Sequence, residues 1–355
     1  MRLPLLTTVL GLAGALNATA ATPARSLYFE HHDWVVACDN TLTCRAAGYA
    51  TDDTSTLSVL LTRKGGPGQA IEGRLSLRPE EGLTQPRGAL HLRIQQQDLG
   101  ALAPARGEGM HTLNAAQTRA LLSALVRDGG ISVTDAAGHR WPLSDNGAAA
   151  ALLKIDEYQG RLDTPGAVMR KGNRPEARVP AALPMPVVRR APSLDASHDD
   201  PALARLAASP ALRAALRHTL PDPSCEGLLE ADADIPLSNS ALEIRPLDAQ
   251  HVLVNVPCWR GAYNSGDGYW VARRQAPFQA QWVTSDAIDY DNGQIIAAQK
   301  GRGLADCMSH GSWTWNGRTF VATSEAAAGL CRGVPGGTWE LPLLVTEVKK
   351  GDGGD

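Results

Sequence analysis

Apolar and polar residues alternate along the first half of the chain. Leu57, Val59 and Leu61 form one such run, Leu75 and Leu77 a second, and Leu90, Leu92 and Ile94 a third. A period of two over short runs separated by Gly and Pro predicts antiparallel strands with one buried and one wet face. One stretch breaks the period. In Asn114-Ala-Ala-Gln117, followed by TRALLSALVRDGG, Asn114 can accept from the free amides of a first helical turn and Gln117 occupies the capping-box position. Leu121, Leu122 and Leu125 supply an apolar stripe, and Gly129 or Gly130 ends the helix. Ile131 and Val133 begin a strand, residues 135–138 turn it, and Trp141 lies on the return. A second helix is expected over Ala148–Tyr158.

From Arg174 the chain reads RPEARVPAALPMPVVRRAPSLDASHDD. Proline removes backbone donors and pushes its predecessor toward extended geometry, so residues 173–200 read as a stiff linker. PALARLAASPALRAALRHT then predicts two short helical segments broken near Pro210. Strand patterns return at 242–247, 251–259, 269–273, 294–299, 313–315, 319–323 and 339–348. Turns between them are explicit at Asp291-Asn292-Gly293, Asn316-Gly317 and Gly336-Gly337, and Asn-Gly between Trp315 and Arg318 is a strong hairpin signal. The expected fold is mainly β with a few short helices (α+β). It comprises two antiparallel β-sandwich or barrel-like domains, at 21–172 and 201–350, joined by the Pro-rich linker.

The N-terminus adds a compartment. Arg2 precedes an apolar stretch from Leu3 to Leu16, and Ala18-Thr19-Ala20 fits a small-x-small cleavage site, so residues 1–20 read as a secretory signal peptide. No later apolar run reaches the roughly 20 residues that a membrane span needs. The expected location is periplasmic or secreted. In an oxidising compartment the six cysteines, at 38, 44, 225, 258, 307 and 331, read as three disulfides. Cys38 and Cys44 suit a tight turn between two strands. For the other four, Cys225–Cys258 and Cys307–Cys331 are favoured because they close the shorter loops.

Roughly 335 residues remain after the leader, more than one core usually holds, which supports two domains. The 34 basic against 37 acidic residues give a net charge of −3, without the basic footprint that nucleic-acid binding leaves. Metal patterns are incomplete. Cys38 and Cys44 lack a second ligand pair, His31 and His32 diverge on a strand, and Cys307-Met308-Ser309-His310 has no second half. Asp286, Asp289, Asp291, Asn292 and Gly293 resemble part of a calcium loop, but Gly293 falls on the third ligand position. No metal or cofactor is expected. The sequence patterns of serine hydrolases, zinc peptidases, nucleotide binders and dinucleotide binders do not occur. Asp156 and Glu157 are adjacent, so on a helix they diverge. A triad scattered along the chain stays open, because such sites are defined by geometry.

One chemical feature is dense. PCWRGAYNSGDGYWVARR and KGRGLADCMSHGSWTWNGRTF concentrate aromatics, arginines and glycines in two short stretches. Trp313 and Trp315 share a strand face beside Cys307 and are expected in a core packed on a disulfide. Trp259, Arg260, Tyr263, Tyr269, Trp270 and Arg302 are the candidate binding residues, since Tyr, Trp and Arg dominate interface hot spots. Gly261, Gly266 and Gly268 would shape a tight loop holding Tyr263 and Tyr269 outward. The competing reading places the whole block in a core.

DWVVACDNTLTCRAAGY, LLKIDEYQGR, PCWRGAYN, KGRGLADC, the W-x-W hairpin and LCRGV resemble the bacterial domain-of-unknown-function family numbered 1176, over nearly the whole mature chain. The resemblance implies export and six cysteines, with no assigned function. In KGRGLADC the chain has Ala305 where that family more commonly has glycine. The first half is faintly similar to invasion-associated locus B proteins, in its early D-W…C…C stretch and its helix, strand pair and closing helix. The combined expectation is a non-catalytic periplasmic protein that binds another envelope protein or a wall component. Its rivals are an inhibitor of a cell-wall-degrading enzyme or protease, and a hydrolase with an unrecognised active site.

Overall fold

The computed structural model describes residues 26–51, 56–79, 82–127, 129–194, 200–221 and 225–351. The leader expected over 1–20 lies outside them. In the first half, β1 (Leu27–His31), β2 (Trp34–Cys38), β3 (Cys44–Tyr49), β4 (Leu57–Arg63) and β5 (Ile71–Leu77) form an antiparallel meander. Next come β6 (His91–Ile94), β7 (Gln97–Ala101), β8 (Ala103–Pro104), β9 (Met110–Leu113), α1 (Ala115–Leu125), β10 (Ile131–Thr134), β11 (Arg140–Pro142) and α2 (Ala148–Tyr158). β9 and β8 extend the meander into a seven-stranded sheet, and a second sheet has the order β11-β10-β6-β7.

Local chemistry explains both helices. Gln117 N donates to Asn114 Oδ1 at 2.9 Å and Asn114 N to Gln117 Oε1 at 2.9 Å, completing the capping box of α1. α2 follows Gly147, whose φ of +97° favours glycine and whose Cα sits too close to His31 O for any Cβ. On α2, Asp156 turns inward to accept from Val168 N and Met169 N at 2.7 and 2.8 Å, while Glu157 faces outward to Lys154 at 2.7 Å. The two carboxylates diverge as the helical spacing dictates.

The large sheet buries one face under α1, α2 and the second sheet: Trp34, Val36, Val59, Leu61 and Leu75 meet Leu121, Leu125 and Leu152. Its other face is not wet, contrary to the half-buried pattern expected. Val35, Ala37, Ala47, Tyr49 and Leu60 are covered by Trp339 and Leu341 from the far end of the chain. Every residue of β2 is therefore buried, and WVVAC reads as the continuous apolar run of a strand covered on both faces.

The second part contains β12 (Val187–Arg190), α3 (Pro201–Ala207), α4 (Pro210–His218), β13 (Glu243–Pro246), β14 (His251–Arg260), β15 (Ser265–Arg273), β16 (Gln281–Ala287), β17 (Asp289–Asp291) and β18 (Gln294–Lys300). β19 (Met308–Trp315), β20 (Phe320–Ala327), β21 (Leu341–Val345) and β22 (Glu347–Lys350) complete it. β13-β14-β15-β16 and β17-β18-β19-β20-β21 are antiparallel sheets, and none of the sheets closes into a barrel. Within 173–200, β12 pairs in parallel with β22, so the Pro-rich segment contributes a strand. α3 and α4 begin with Pro at the first turn, capped by Asp200 and Ser209. β16 lacks a clean alternation in QWVTSDA and its pairing with β15 is interrupted by bulges, so periodicity misses it.

Disulfides join Cys38 to Cys44, Cys225 to Cys258 and Cys307 to Cys331, the expected connectivity. Asn316-Gly317 forms the β19–β20 turn, with Asn316 Oδ1 accepting from Arg318 N and Thr319 N at 2.9 and 3.0 Å. The Asp291-Asn292-Gly293 turn joins β17 to β18, with Asn292 and Gly293 at φ +46° and +80°. Trp315 is fully buried, but against Phe320 and His251 rather than a disulfide, with ring centroids 5.5 and 5.8 Å away. Polar pins hold the C-terminal region onto the large sheet. Arg332 pairs with Asp33 at 2.7 Å, Trp339 Nε1 donates to Ser58 Oγ at 2.6 Å, and Asn40 exchanges two hydrogen bonds with Val345 at 2.8 and 3.1 Å.

Candidate functional site

The two dense sequence blocks meet at one end of the second part. Asn264, at the tip of the β14–β15 hairpin, donates to Lys300 O at 2.8 Å and accepts from Lys300 N at 2.9 Å. Gln299 Nε2 reaches back to Ser265 O and Asp286 O at 3.0 and 2.9 Å. The tip of one hairpin is thereby fastened to the 301–307 loop that follows β18, and Tyr263 lies beside Gly303 with its hydroxyl 3.4 Å from Gly301 O.

That loop is stiff for stated reasons. Arg302 grips Asp306 with Nε to Oδ1 at 2.7 Å and a second, shorter contact from Nη2 to Oδ2. Gly333 N adds a bond of 2.7 Å to the same carboxylate. Arg302 holds the Asp306 carboxyl below the usual range; burial opposes this and the Gly333 amide reinforces it. Cys307–Cys331 anchors the neighbouring chain, and Gly301 N and Gly336 N close onto Cys307 O and Ala305 O, both at 2.8 Å. At the apex stands Leu304, 71% exposed.

Beside Leu304 opens a cleft of about 680 Å³ between the two parts of the molecule. Leu77, Arg78, Pro79 and Glu108 form one wall, and Leu304 and Val334 belong to the other. Apolar walls with a few charged groups suit recognition of a ligand or a protruding side chain.

The structure separates the candidate residues. Arg260 and Tyr263 are exposed, and Trp259 is half-buried with Nε1 donating to Ser285 O at 3.0 Å. Tyr269 is 4% exposed and Trp270 fully buried, each in an apolar cluster, with Trp270 Nε1 donating to Thr219 Oγ1 at 3.1 Å. Successive residues on β15 point to opposite faces, and both faces of that strand are covered, so neither ring reaches the surface. Burial, then Asp267, raises the Tyr269 hydroxyl pKa far above its ordinary value. Arg302 belongs to the internal Asp306 clamp. Gly266 and Gly268 do not form a loop holding Tyr269 outward. They lie in β15 and make room for the Trp259 indole and for Cys258 Sγ with the Trp270 ring. Leu304 was missed, because a single Leu in KGRGLADC carries no sign of its exposure.

Catalytic and metal chemistry finds little footing among the described residues. Three His–Asp pairs occur, His91–Asp98, His139–Asp135 and His251–Asp248. Each spans one turn, the aspartate also accepts from local backbone amides, and no serine or threonine hydroxyl is hydrogen-bonded to the imidazole. The Asp306 carboxylate lies within 4.8 Å of both sulfurs of Cys307 and Cys331, but those sulfurs are bonded to each other and cannot act as thiolate ligands.

The sequence profile described as protein of unknown function (DUF1176) matches residues 28–346. The chain is also similar to the uncharacterized protein YpfG of Escherichia coli (strain K12), at 25% identity over 337 residues, 88% of this chain and 90% of that protein. No solved structure matches. The similarity to invasion-associated locus B proteins is carried by none of these matches.

Proposed function

The chain belongs to the DUF1176 family of proteins of unknown function, and from its geometry we propose that it is an exported, non-catalytic binding protein of the bacterial envelope. The observation that carries this reading is Leu304, 71% exposed at the apex of a clamped loop. Leaving a leucine in water forgoes roughly 1.5–3 kcal/mol of burial. Because the disulfide and the Arg302–Asp306 pair already order the loop, a partner would bury Leu304 at little entropic cost. Arg260, Tyr263 and the adjoining cleft extend the surface, and the partner is an envelope protein or wall component. The leader pattern at 1–20 and the three disulfides support the periplasm or the exterior as its location. No helix among the described residues is long and apolar enough to cross a membrane.

A second reading is favoured by the same loop. A stiff, disulfide-anchored loop presenting one apolar side chain is also the form in which an inhibitor offers itself to a protease or wall-degrading enzyme. The test uses Arg260→Ala, Tyr263→Ala and Leu304→Asp, with stability and capture of envelope components measured on the same samples. Capture should fall while stability moves by about 0.5 kcal/mol or less, as at ordinary surface sites. Retained capture in all three variants sinks the surface. Inhibition of a lytic enzyme that is lost with Leu304→Asp selects the second reading.

A further inference from the structure

A second cleft, of about 490 Å³, lies away from this surface, between α1 and the 165–171 segment. Ala115, Thr118 and Leu122 lie on the face of α1 that lines it, at helical spacings of three and four, and the C-cap residue Val126 continues that line. Ile71, Leu122, Val126 and Val168 form an apolar floor, each partly exposed above the main core. Its lips are cationic: Arg119, Arg127 and Lys171 are exposed, and no Asp or Glu lines the cleft among the described residues. None of the three cations forms an ion pair or side-chain hydrogen bond among the described residues. Arg63 at the cleft's end is already committed, to Gln69 O at 3.0 Å, Gly166 O at 2.7 Å and Asp156 at 3.4 Å.

We propose that this groove binds the single acyl chain of an anionic amphiphile, a lysophospholipid with an acidic headgroup, the chain lying on the apolar floor and the headgroup on the cationic lips. Charge complementarity selects the headgroup, and hydrogen bonding selects the chain. An extended peptide would need backbone partners along its length, and the middle of α1 offers none because the amides and carbonyls there bond within the helix. A hydrocarbon chain needs no such partners.

The test titrates the full purified chain with monomeric myristoyl lysophosphatidylglycerol and, in parallel, myristoyl lysophosphatidylcholine, glycerol 3-phosphate and an acidic peptide. Saturable binding of the first, at least tenfold tighter than any of the others, is expected. Arg119→Glu with Lys171→Glu should weaken it at least tenfold, whereas Arg119→Lys, which keeps the charge, should not. Ser123→Trp places a bulky ring in the groove and should abolish binding. Arg205→Glu, an exposed charge reversal on α3, should change nothing. Absence of saturable binding overturns the proposal, as does equal affinity for the zwitterionic lipid, for glycerol 3-phosphate or for the acidic peptide. Unchanged affinity in Ser123→Trp overturns the placement of the chain.

Discussion

Replacing Trp339 by alanine should unfasten the C-terminal region from the large sheet. The indole is 8% exposed and packs with Leu341 on Val35, Ala37, Ala47, Tyr49 and Leu60. Truncating a buried aromatic of this kind costs about 3–5 kcal/mol, which includes the cavity left behind. Trp339→Phe keeps most of the ring but removes the Nε1–H donor to Ser58 Oγ. Ser58 still donates to Gly48 O at 2.8 Å, so that variant should lose only about 1 kcal/mol. Two assays read the effect. Urea denaturation gives the stability loss. Trypsin nicking within 173–200, followed by gel filtration, asks whether the fragments stay together, since no disulfide crosses that segment. Wild-type fragments should co-elute and Trp339→Ala fragments should separate, because a loss near 4 kcal/mol weakens association about a thousandfold. A loss below about 1 kcal/mol in Trp339→Ala, or separation of the wild-type fragments, would refute the docking argument.

Other consequences are as direct. Asp135 is held down to about 2: burial opposes ionisation, but the His139 ring and the amides of Arg87 and His139 outweigh it. Its folded pKa lies below an unfolded value of about 3.9, so its stabilisation is complete above that value and is lost as pH falls toward about 2. Asp135→Asn should flatten acid denaturation in that window, and an unchanged acid limb would contradict the assignment. Ala305 has φ +54°, a left-handed conformation costing an alanine roughly 1–2 kcal/mol. Ala305→Gly should therefore raise stability by about 0.5–1 kcal/mol in chemical denaturation, net of glycine's entropy; a loss would show the conformation is unstrained. Arg161 is fully buried, bonded to Gln159 Oε1 at 2.7 Å and Gly66 O at 2.6 Å and paired with Glu176 at 3.2 Å. Arg161→Ala should cost about 3–5 kcal/mol, and a loss under 1 kcal/mol would show that this network contributes little.

Local signals in the sequence translated well into structure. Asn114 with Gln117, Asn316-Gly317, Pro201, Pro210 and the Cys38–Cys44 pair act within a few residues of themselves, and each element follows from its own chemistry. Facing surfaces were harder to read. Val35, Ala37 and Leu60 carried the sign that the large sheet is covered on both sides, but nothing near them names Trp339, some 300 residues away in sequence. The aromatic block shows the same limit: composition marked it, while the pleat of β15 sends Tyr269 and Trp270 into two separate cores. Arg302 was legible as an arginine near aromatics, yet only the return of Gly333 beside Asp306 shows that its guanidinium serves the loop. The exposure of Leu304 depends on that clamp and on the Cys307–Cys331 bond, both of which exist only once the chain has folded.

Whether the end carrying Arg260, Tyr263 and Leu304 is a recognition surface is decided by site-specific photocrosslinking in cells that express the full chain. A photoreactive residue is placed at 304 or 263, and at exposed Arg205 as the control. A recognition surface gives one discrete adduct from 304 and 263 and none from 205, with folding preserved in all three. Adducts of equal yield from all three positions, or from 205 alone, would contradict it.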